Sequence, residues 1–383
     1  NADLDLDASI EHKQDMSLLQ TSVIWKTLFN YQQKGVISLI KMLRKYNGAI
    51  LADAVGLGKT FSALGVIKYF QTQNYQTVLL CPKKLEQNWT QYLRRRGSRF
   101  EADEFDYLVR FHTDLQDERL EQRYDDAKLS WLQKRPKLLI VIDESHNLRN
   151  EKSSRYVELL GKLIQNRPDQ QNRDVKVLML SATPINTGLN DVKGQFNLIG
   201  HGMDDAFKEN FDIVSLQSMF TTAQRAYNEW CNDPNRTVGR FISMLPQKFF
   251  SLTDKLIVAR TRNLIEKTLG ENLGFPQKEH PVNVYCGVEH FGSFQTAEEV
   301  YNAFDGLSLS AYQPSLYIPA PKDKQRDRKS QEKEWGTDVN RERFLVKMMG
   351  IMFLKRLESS WHSCLETVSK VLKVHEDTLA LVK

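Results

Sequence analysis

Short uninterrupted apolar runs recur through the first half of the chain: Ala49–Ala52, Thr77–Cys81, Tyr107–Phe111, Leu138–Ile142 and Val177–Leu180. Runs of this kind have the length of buried strands and fall far short of the ~18 apolar residues that span a bilayer. The stretches between them read as helices. Strands alternating with helices over residues 25–200 predict βαβ units and a parallel sheet covered on both faces. The polar, charge-dense stretch 114–135 reads as helical.

Beyond residue 200 the strand pattern fades. Leu216, Met219, Phe220, Ala223, Ala226, Tyr227 and Trp230 recur at helical spacing over 215–231. Residues 238–260 predict one or two more helices, broken near Pro246. Phe275-Pro276-Gln277-Lys278 reads as a turn and Val282–Cys286 as a strand. Residues 319–338 carry both signs of charge and read as a solvated loop. Residues 340–382 read as long and helical.

Composition changes this picture little. Hydrophobic residues make up 41% and charged residues 26%, which excludes a mainly disordered or collagen-like chain. Lys plus Arg number 53 against 48 Asp plus Glu, a net charge of +5 that permits an acidic partner without demanding one. Cys81, Cys231, Cys286 and Cys364 lie far apart, without metal-ligand spacing or a disulfide framework. They indicate a reducing, intracellular, cytoplasmic setting. The chain opens Asn1-Ala2-Asp3 without Met and without a basic n-region, so it reads as neither a signal peptide nor a natural start, and is expected to be a fragment or the ordered part of something longer.

Candidate chemistry sits at the strand ends. The segment Leu51-Ala52-Asp53-Ala54-Val55-Gly56-Leu57-Gly58-Lys59-Thr60 follows a predicted strand and opens a predicted helix, the context a phosphate-binding loop requires. Gly56 and Gly58 allow backbone N–H groups to turn toward phosphates. Lys59 can reach the β/γ-phosphates, and the Thr60 hydroxyl can ligate Mg²⁺. Asp53 stands where the simple pattern has its first Gly. A second strand ends in Asp143-Glu144-Ser145-His146, placing two carboxylates where α/β sheets bind ligands. Asp143 would hold Mg²⁺, and Glu144 would polarise the attacking water. A third strand ends in Ser181-Ala182-Thr183-Pro184, which by itself is a strand followed by a turn.

In this order the motifs resemble those of superfamily II helicase-type ATPases, and specifically the Swi/Snf-related (RapA-like) DNA translocase branch. The resemblance covers about residues 25–285. It implies an α/β RecA-like parallel sheet flanked by helices, with a mainly helical extension, and ATP and Mg²⁺ as cofactors. Asp53, Val55, Gly56, Leu57, Gly58, Lys59 and Thr60 resemble motif I, with Ala54 where the branch commonly has Glu. Asp143-Glu144-Ser145-His146 resembles the DExH motif, making Lys59, Asp143 and Glu144 the catalytic set. Ser181 and Thr183 resemble motif III and, with His146, would couple nucleotide state to DNA contact. Tyr31-Gln32 resembles the Q motif, in which Gln32 would read the adenine edge. Pro82, Lys83, Lys84 and Asn88, in the segment ending at Trp89, resemble motif Ia, a DNA-backbone contact. Arg260 and Arg262 fit the branch as DNA or interlobe contacts.

The implied partners are double-stranded DNA rather than RNA and a second RecA-like lobe in the same longer chain, with no membrane. That lobe's Gln-x-x-Gly-Arg-x-x-Arg motif is not found in the 383 residues. The expected division is an N-terminal extension over 1–24 and an ATP-binding lobe over 25–200. A helical insertion follows over 201–280, then a linker and C-terminal helices over 281–383. Two other readings stay open: a DExH RNA helicase or restriction-type motor subunit, and a non-catalytic ATP-switched scaffold. The basic run 94–99 is either a phosphate clamp or a solvated face.

Overall fold

The computed structural model describes residues 10–94, 96–115, 132, 134–165, 173–185, 188–269, 282, 297–317 and 328–382. The chain divides into two compact units, Asn1–Pro276 and Gln277–Lys383.

The first unit is built on six strands: β1 (Gly48–Leu51), β2 (Gln76–Cys81), β3 (Tyr107–Phe111), β4 (Lys137–Asp143), β5 (Asp174–Leu180) and β6 (Ile257–Val258). They form one sheet in the order β3-β2-β4-β5-β1-β6, and every pairing is parallel. Ile140 faces Val177 across β4 and β5, and Ile50 faces Met179 across β5 and β1. Strands covered on both faces must be apolar throughout rather than alternating. Ile50, Leu79, Leu139, Val141 and Leu178 are accordingly wholly buried. Truncating Leu178 to Ala would open a cavity and cost about 2–5 kcal/mol.

The flanking helices present apolar stripes to the sheet. In the helix Asn30–Tyr46, Val36, Leu39, Ile40 and Leu43 are buried at three- and four-residue spacing. It ends at Asn47, which adopts the left-handed conformation (φ 62°) that Asn tolerates.

The five strands expected from the apolar runs are all present. The sixth lies inside the segment expected to be helical. The helices Val238–Met244 and Gln247–Leu256 flank Pro246 as expected, but Ile257–Val258 then joins the sheet beside β1. Two residues are too few to show a period, so only pairing with β1 marks them as a strand.

In the second unit, the helix Arg328–Ser359 begins well inside the segment expected to be a loop, and Trp361–Val382 follows it. Lys, Arg, Gln and Glu are good helix formers, so the polar stretch from Arg328 enters a helix readily, and the single Gly336 within it does not end the helix. Leu309, Met349 and Phe353 make a small core there, with Phe304 and Val368 against it. The helix, turn and strand expected over 114–135, 275–278 and 282–286 lie almost wholly outside the described residues. Among the described residues no helix is long and apolar enough to cross a membrane.

Candidate functional site

A parallel sheet delivers every post-strand loop to one edge. The loops after β1, β4 and β5 therefore meet there, with β5 in the middle. Strands lie about 4.8 Å apart, so the loops after β1 and β4 begin about 10 Å apart.

After β1 the chain enters a tight loop. Gly56 (φ 85°) and Gly58 (φ 73°) take left-handed conformations that cost a residue with a Cβ roughly 1–2 kcal/mol. A Cβ on Gly58 would also stand 2.4 Å from Gln32 Nε2. Gly58 is the N-cap of the 14-residue helix Lys59–Thr72 and supplies no side chain to cap it. The first helical N–H groups thus lack a side-chain partner, the arrangement that receives anions. Lys59 Nζ donates to the carbonyl of Asp53 at 2.9 Å, folded back across the loop. Thr60 follows on the same turn, partly exposed, while Val55 projects into solvent.

The loop is braced from both sides. On one side Tyr31 Oη donates to Leu57 O at 2.9 Å, and Gln32 Nε2 donates to the same carbonyl at 3.1 Å. Gln32 Oε1 accepts from Phe29 N. The amide expected at the adenine edge is therefore buried and occupied by loop and helix-start backbone. On the other side, Ala52 N donates to Val258 O at 2.7 Å and Ala54 N to Arg260 O at 3.0 Å.

Arg260 fixes that second side. Its guanidinium makes a two-pronged contact with Asp53, Nε to Oδ1 at 2.9 Å and Nη2 to Oδ2. It also donates to Tyr31 O and lies 5.2 Å from the Tyr31 ring centre. Asp53 is wholly buried. Arg260 fits the branch as a DNA or interlobe contact and equally reads as a structural arginine; its guanidinium lies inside the fold as the counter-charge of the buried Asp53 carboxylate. Arg262 Nη2 donates to Val55 O at 3.2 Å, against the loop rather than away from it.

Asp143 closes β4 and has different surroundings. Trp89 Nε1 donates to its Oδ2 and Glu144 N to its Oδ1, both at 2.9 Å. Burial pushes its pKa up. The Trp89 bond, the Glu144 N–H and the charge of Lys59 oppose that shift, and the charge of Glu144 reinforces it. Glu144 has a left-handed backbone (φ 51°), uncommon for a non-glycine residue and recurrent at functional sites.

Glu144, His146 and Ser181 form a chain across the β4 and β5 ends. His146 Nδ1 lies 3.3 Å from Glu144 Oε2 and 3.3 Å from Ser181 Oγ. The carboxylate can only accept, so the ring proton belongs on Nδ1. Ser181 N donates to Leu51 O at the end of β1, and Thr183 N donates to Ser181 Oγ. Ser181 is thus bonded to residues from both flanking strands. A further link escaped the sequence reading. Gln195, wholly buried, accepts from Ser145 Oγ at 2.8 Å and donates to Pro184 O at 2.9 Å. Gln195 stands among Val192, Phe196, Leu198 and Ile199 on the buried side of the helix Asn190–Ile199, with Asp191 one turn before it, and a polar pair at those positions was the available clue.

Pro82, Lys83, Lys84 and Asn88 follow β2 at the same sheet edge. Lys83, Lys84 and Asn88 are exposed and Pro82 partly so. In the basic run, Arg94 pairs with Glu104 at 3.1 Å, and Arg99 lies over the rings of Phe61 and Phe100. His112 is buried with Nε2 3.3 Å from Leu80 O, and burial lowers its pKa to about 4.

The loop fits a phosphate chain: two left-handed glycines, a helix N-terminus and an ammonium. The hard oxygens of Asp143 and Thr60 suit Mg²⁺, which is commonly held by one or two carboxylates together with substrate phosphates.

Residues 31–269 of the chain match the SNF2-related domain. The chain is similar to the ATP-dependent helicase FUN30 of Saccharomyces cerevisiae, 24% identical over 212 residues covering 51% of this chain and 18% of that protein. It is 28% identical over 180 residues to the uncharacterized ATP-dependent helicase YqhH of Bacillus subtilis, covering 45% and 30%. Among solved structures it is similar to the Sulfolobus solfataricus SWI2/SNF2 ATPase core in complex with dsDNA, at 17% identity and a TM-score of 0.41, covering 82% of this chain and 57% of that one. The chain spans 18% and 30% of the length of the two curated relatives.

Proposed function

The chain belongs to the SNF2-related family, and on that premise we propose that it is the ATP-binding lobe of a DNA-dependent ATPase that moves along duplex DNA. The observation that carries this reading is the meeting of the Lys59 loop and the Asp143-Glu144 pair on the strands flanking β5. The backbone of Val55, Gly56, Leu57 and Gly58 cradles the phosphates, and Lys59 leaves the Asp53 carbonyl to meet them. Asp143 and Thr60 hold Mg²⁺, which neutralises charge developing on the phosphate oxygens. Glu144 orients the attacking water and accepts its proton. His146, Ser181 and Thr183 relay the state of that site toward the loops after β5. Gln32 acts at the adenine edge once its amide leaves the Leu57 carbonyl and the Phe29 N–H that it braces here.

The exposed Lys83, Lys84 and Asn88 are the residues offered to the DNA backbone. Backbone contacts make binding largely independent of sequence and sensitive to salt. The lobe runs past residue 200, because β6 and Arg260 complete the base of the phosphate loop. A second RecA-like lobe in the longer protein supplies the opposing arginine, worth roughly 10³–10⁵ in rate. The protein works inside the cell, where its DNA is.

Lys59→Ala tests this reading. It should remove most ATP affinity while thermal unfolding stays close to the parent's, because Lys59 lies at the loop surface. Equal nucleotide binding by mutant and parent would sink the assignment. Stimulation of the longer protein's ATPase activity by RNA but not by duplex DNA would favour the RNA-helicase alternative.

A further inference from the structure

Trp89 has no role in the reading above beyond closing the segment that bears Lys83, Lys84 and Asn88. Its ring is wholly buried, and burial alone would make it a core residue. Its one polar atom says more. An indole has a single donor and no acceptor, and here Nε1 donates to Asp143 Oδ2 at 2.9 Å. Asp143 is thus held by two neutral donors, Trp89 Nε1 on one oxygen and its neighbour's N–H on the other. The ring is itself fixed from behind. Tyr107 on β3 donates from Oη to the Trp89 carbonyl at 2.7 Å, and its ring meets the indole edge-on at 6.4 Å. Trp89 reaches β4 from the short helix Glu86–Thr90, across β2, which separates β3 from β4.

We propose that Trp89 is a positioning residue for the Mg²⁺-bound nucleotide: its indole N–H sets the orientation of the Asp143 carboxylate, and Tyr107 sets the orientation of Trp89. This rests on the ATP reading. A carboxylate with a free torsion must be ordered when the cation arrives, and that ordering weakens binding. One oxygen pinned by a buried donor leaves the other lone pairs aimed before binding. Metal ligands fixed by surrounding hydrogen bonds typically lose 10–100-fold in metal affinity or activity when those partners are removed.

The experiment measures binding of a fluorescent, non-hydrolysable ATP analogue to the full chain, with and without Mg²⁺, alongside thermal unfolding. Trp89→Phe keeps an aromatic ring in the core, removes the donor and gives up the volume of one fused ring, so thermal unfolding is followed beside binding. It should bind the analogue without Mg²⁺ as the parent does. Its gain in affinity on adding Mg²⁺ should be at least about tenfold smaller, with a higher Mg²⁺ midpoint. Asp143→Asn should lose the same gain, and combining the two changes should add little. Tyr107→Phe keeps the indole and should shift the Mg²⁺ midpoint the same way by a smaller factor, so it decides the matter if Trp89→Phe unfolds. An unchanged Mg²⁺ effect in Trp89→Phe, or in Tyr107→Phe where Trp89→Phe is unfolded, overturns the proposal and leaves the ATP reading intact. A parent chain that binds no analogue under either condition overturns the ATP reading and this proposal with it.

Discussion

Two aspartates stand at neighbouring ends of the same sheet and are treated in opposite ways. Asp53, two residues past β1, is wholly buried against the guanidinium of Arg260. Asp143, at the end of β4, is partly buried and accepts from the indole of Trp89 and the backbone of Glu144. The first carboxylate has its cation built in; the second is held by neutral donors, and burial raises its pKa. A buried charge with a permanent partner is a brace, and removing one side leaves the other stranded. A buried charge held by neutral donors is a place where a cation can arrive. The contrast explains how one sheet edge can be rigid under the phosphate loop and receptive beside it.

The largest expected effect breaks the brace. Arg260→Ala should cost about 3–5 kcal/mol of stability, because it strands Asp53 in the interior. Pairing Arg260→Gln with Asp53→Asn should recover part of the loss, since no uncompensated charge remains. Urea unfolding of the singles and the double measures both, and additive losses would refute the pairing.

Asp143→Asn sharpens the comparison by reversing its sign. A carboxyl whose folded pKa is raised favours folding below its unfolded pKa, and that contribution is lost as pH rises through the folded value. Near neutral pH the ionised Asp143 therefore costs stability. The variant should unfold at the same temperature as the parent or higher while, on the proposed function, a chain that also carries the second lobe loses ATP hydrolysis. A clear drop in melting temperature would make Asp143 a second brace.

Smaller effects test the loop between them. Gly58→Ala forces a left-handed backbone on a residue with a Cβ and crowds Gln32, and should cost roughly 1–2 kcal/mol together with weaker nucleotide binding. Gln32→Ala removes one of the two donors on the Leu57 carbonyl, leaves the Phe29 N–H without its side-chain acceptor and should cost about 1 kcal/mol. It should also narrow the preference for ATP over GTP, read by competition between the two nucleotides. An unchanged preference would leave Gln32 as a loop brace alone.

Much of this site was readable in the chain itself. The strands that end at Leu51, Asp143 and Leu180 are largely continuous apolar runs because both faces of a parallel sheet are covered, and that covering leaves a local imprint. Gly56, Gly58 and Lys59 are legible because left-handed turns and phosphate contact restrict the residue types allowed. Arg260 was legible as a motif but not as a partner. It meets Asp53 across 207 positions of sequence, and nothing local in Ala259-Arg260-Thr261-Arg262 distinguishes an arginine bound for DNA from one bound for the interior.

By itself, then, the sequence determined the five principal strands, the loops that follow them and the residue types able to handle phosphate, since periodicity and turn chemistry act over a few residues. The tertiary structure alone decided which carboxylate receives a permanent cation and which stays receptive. It decided that Ile257–Val258 closes the sheet beside β1, that Gln195 ties Ser145 to Pro184, and that the Trp89 indole ends on Asp143. Each of these is one contact, or one short pairing, between segments far apart in the chain. Such contacts leave no period to read, and they exist only once the sheet has brought its strand ends to a common edge.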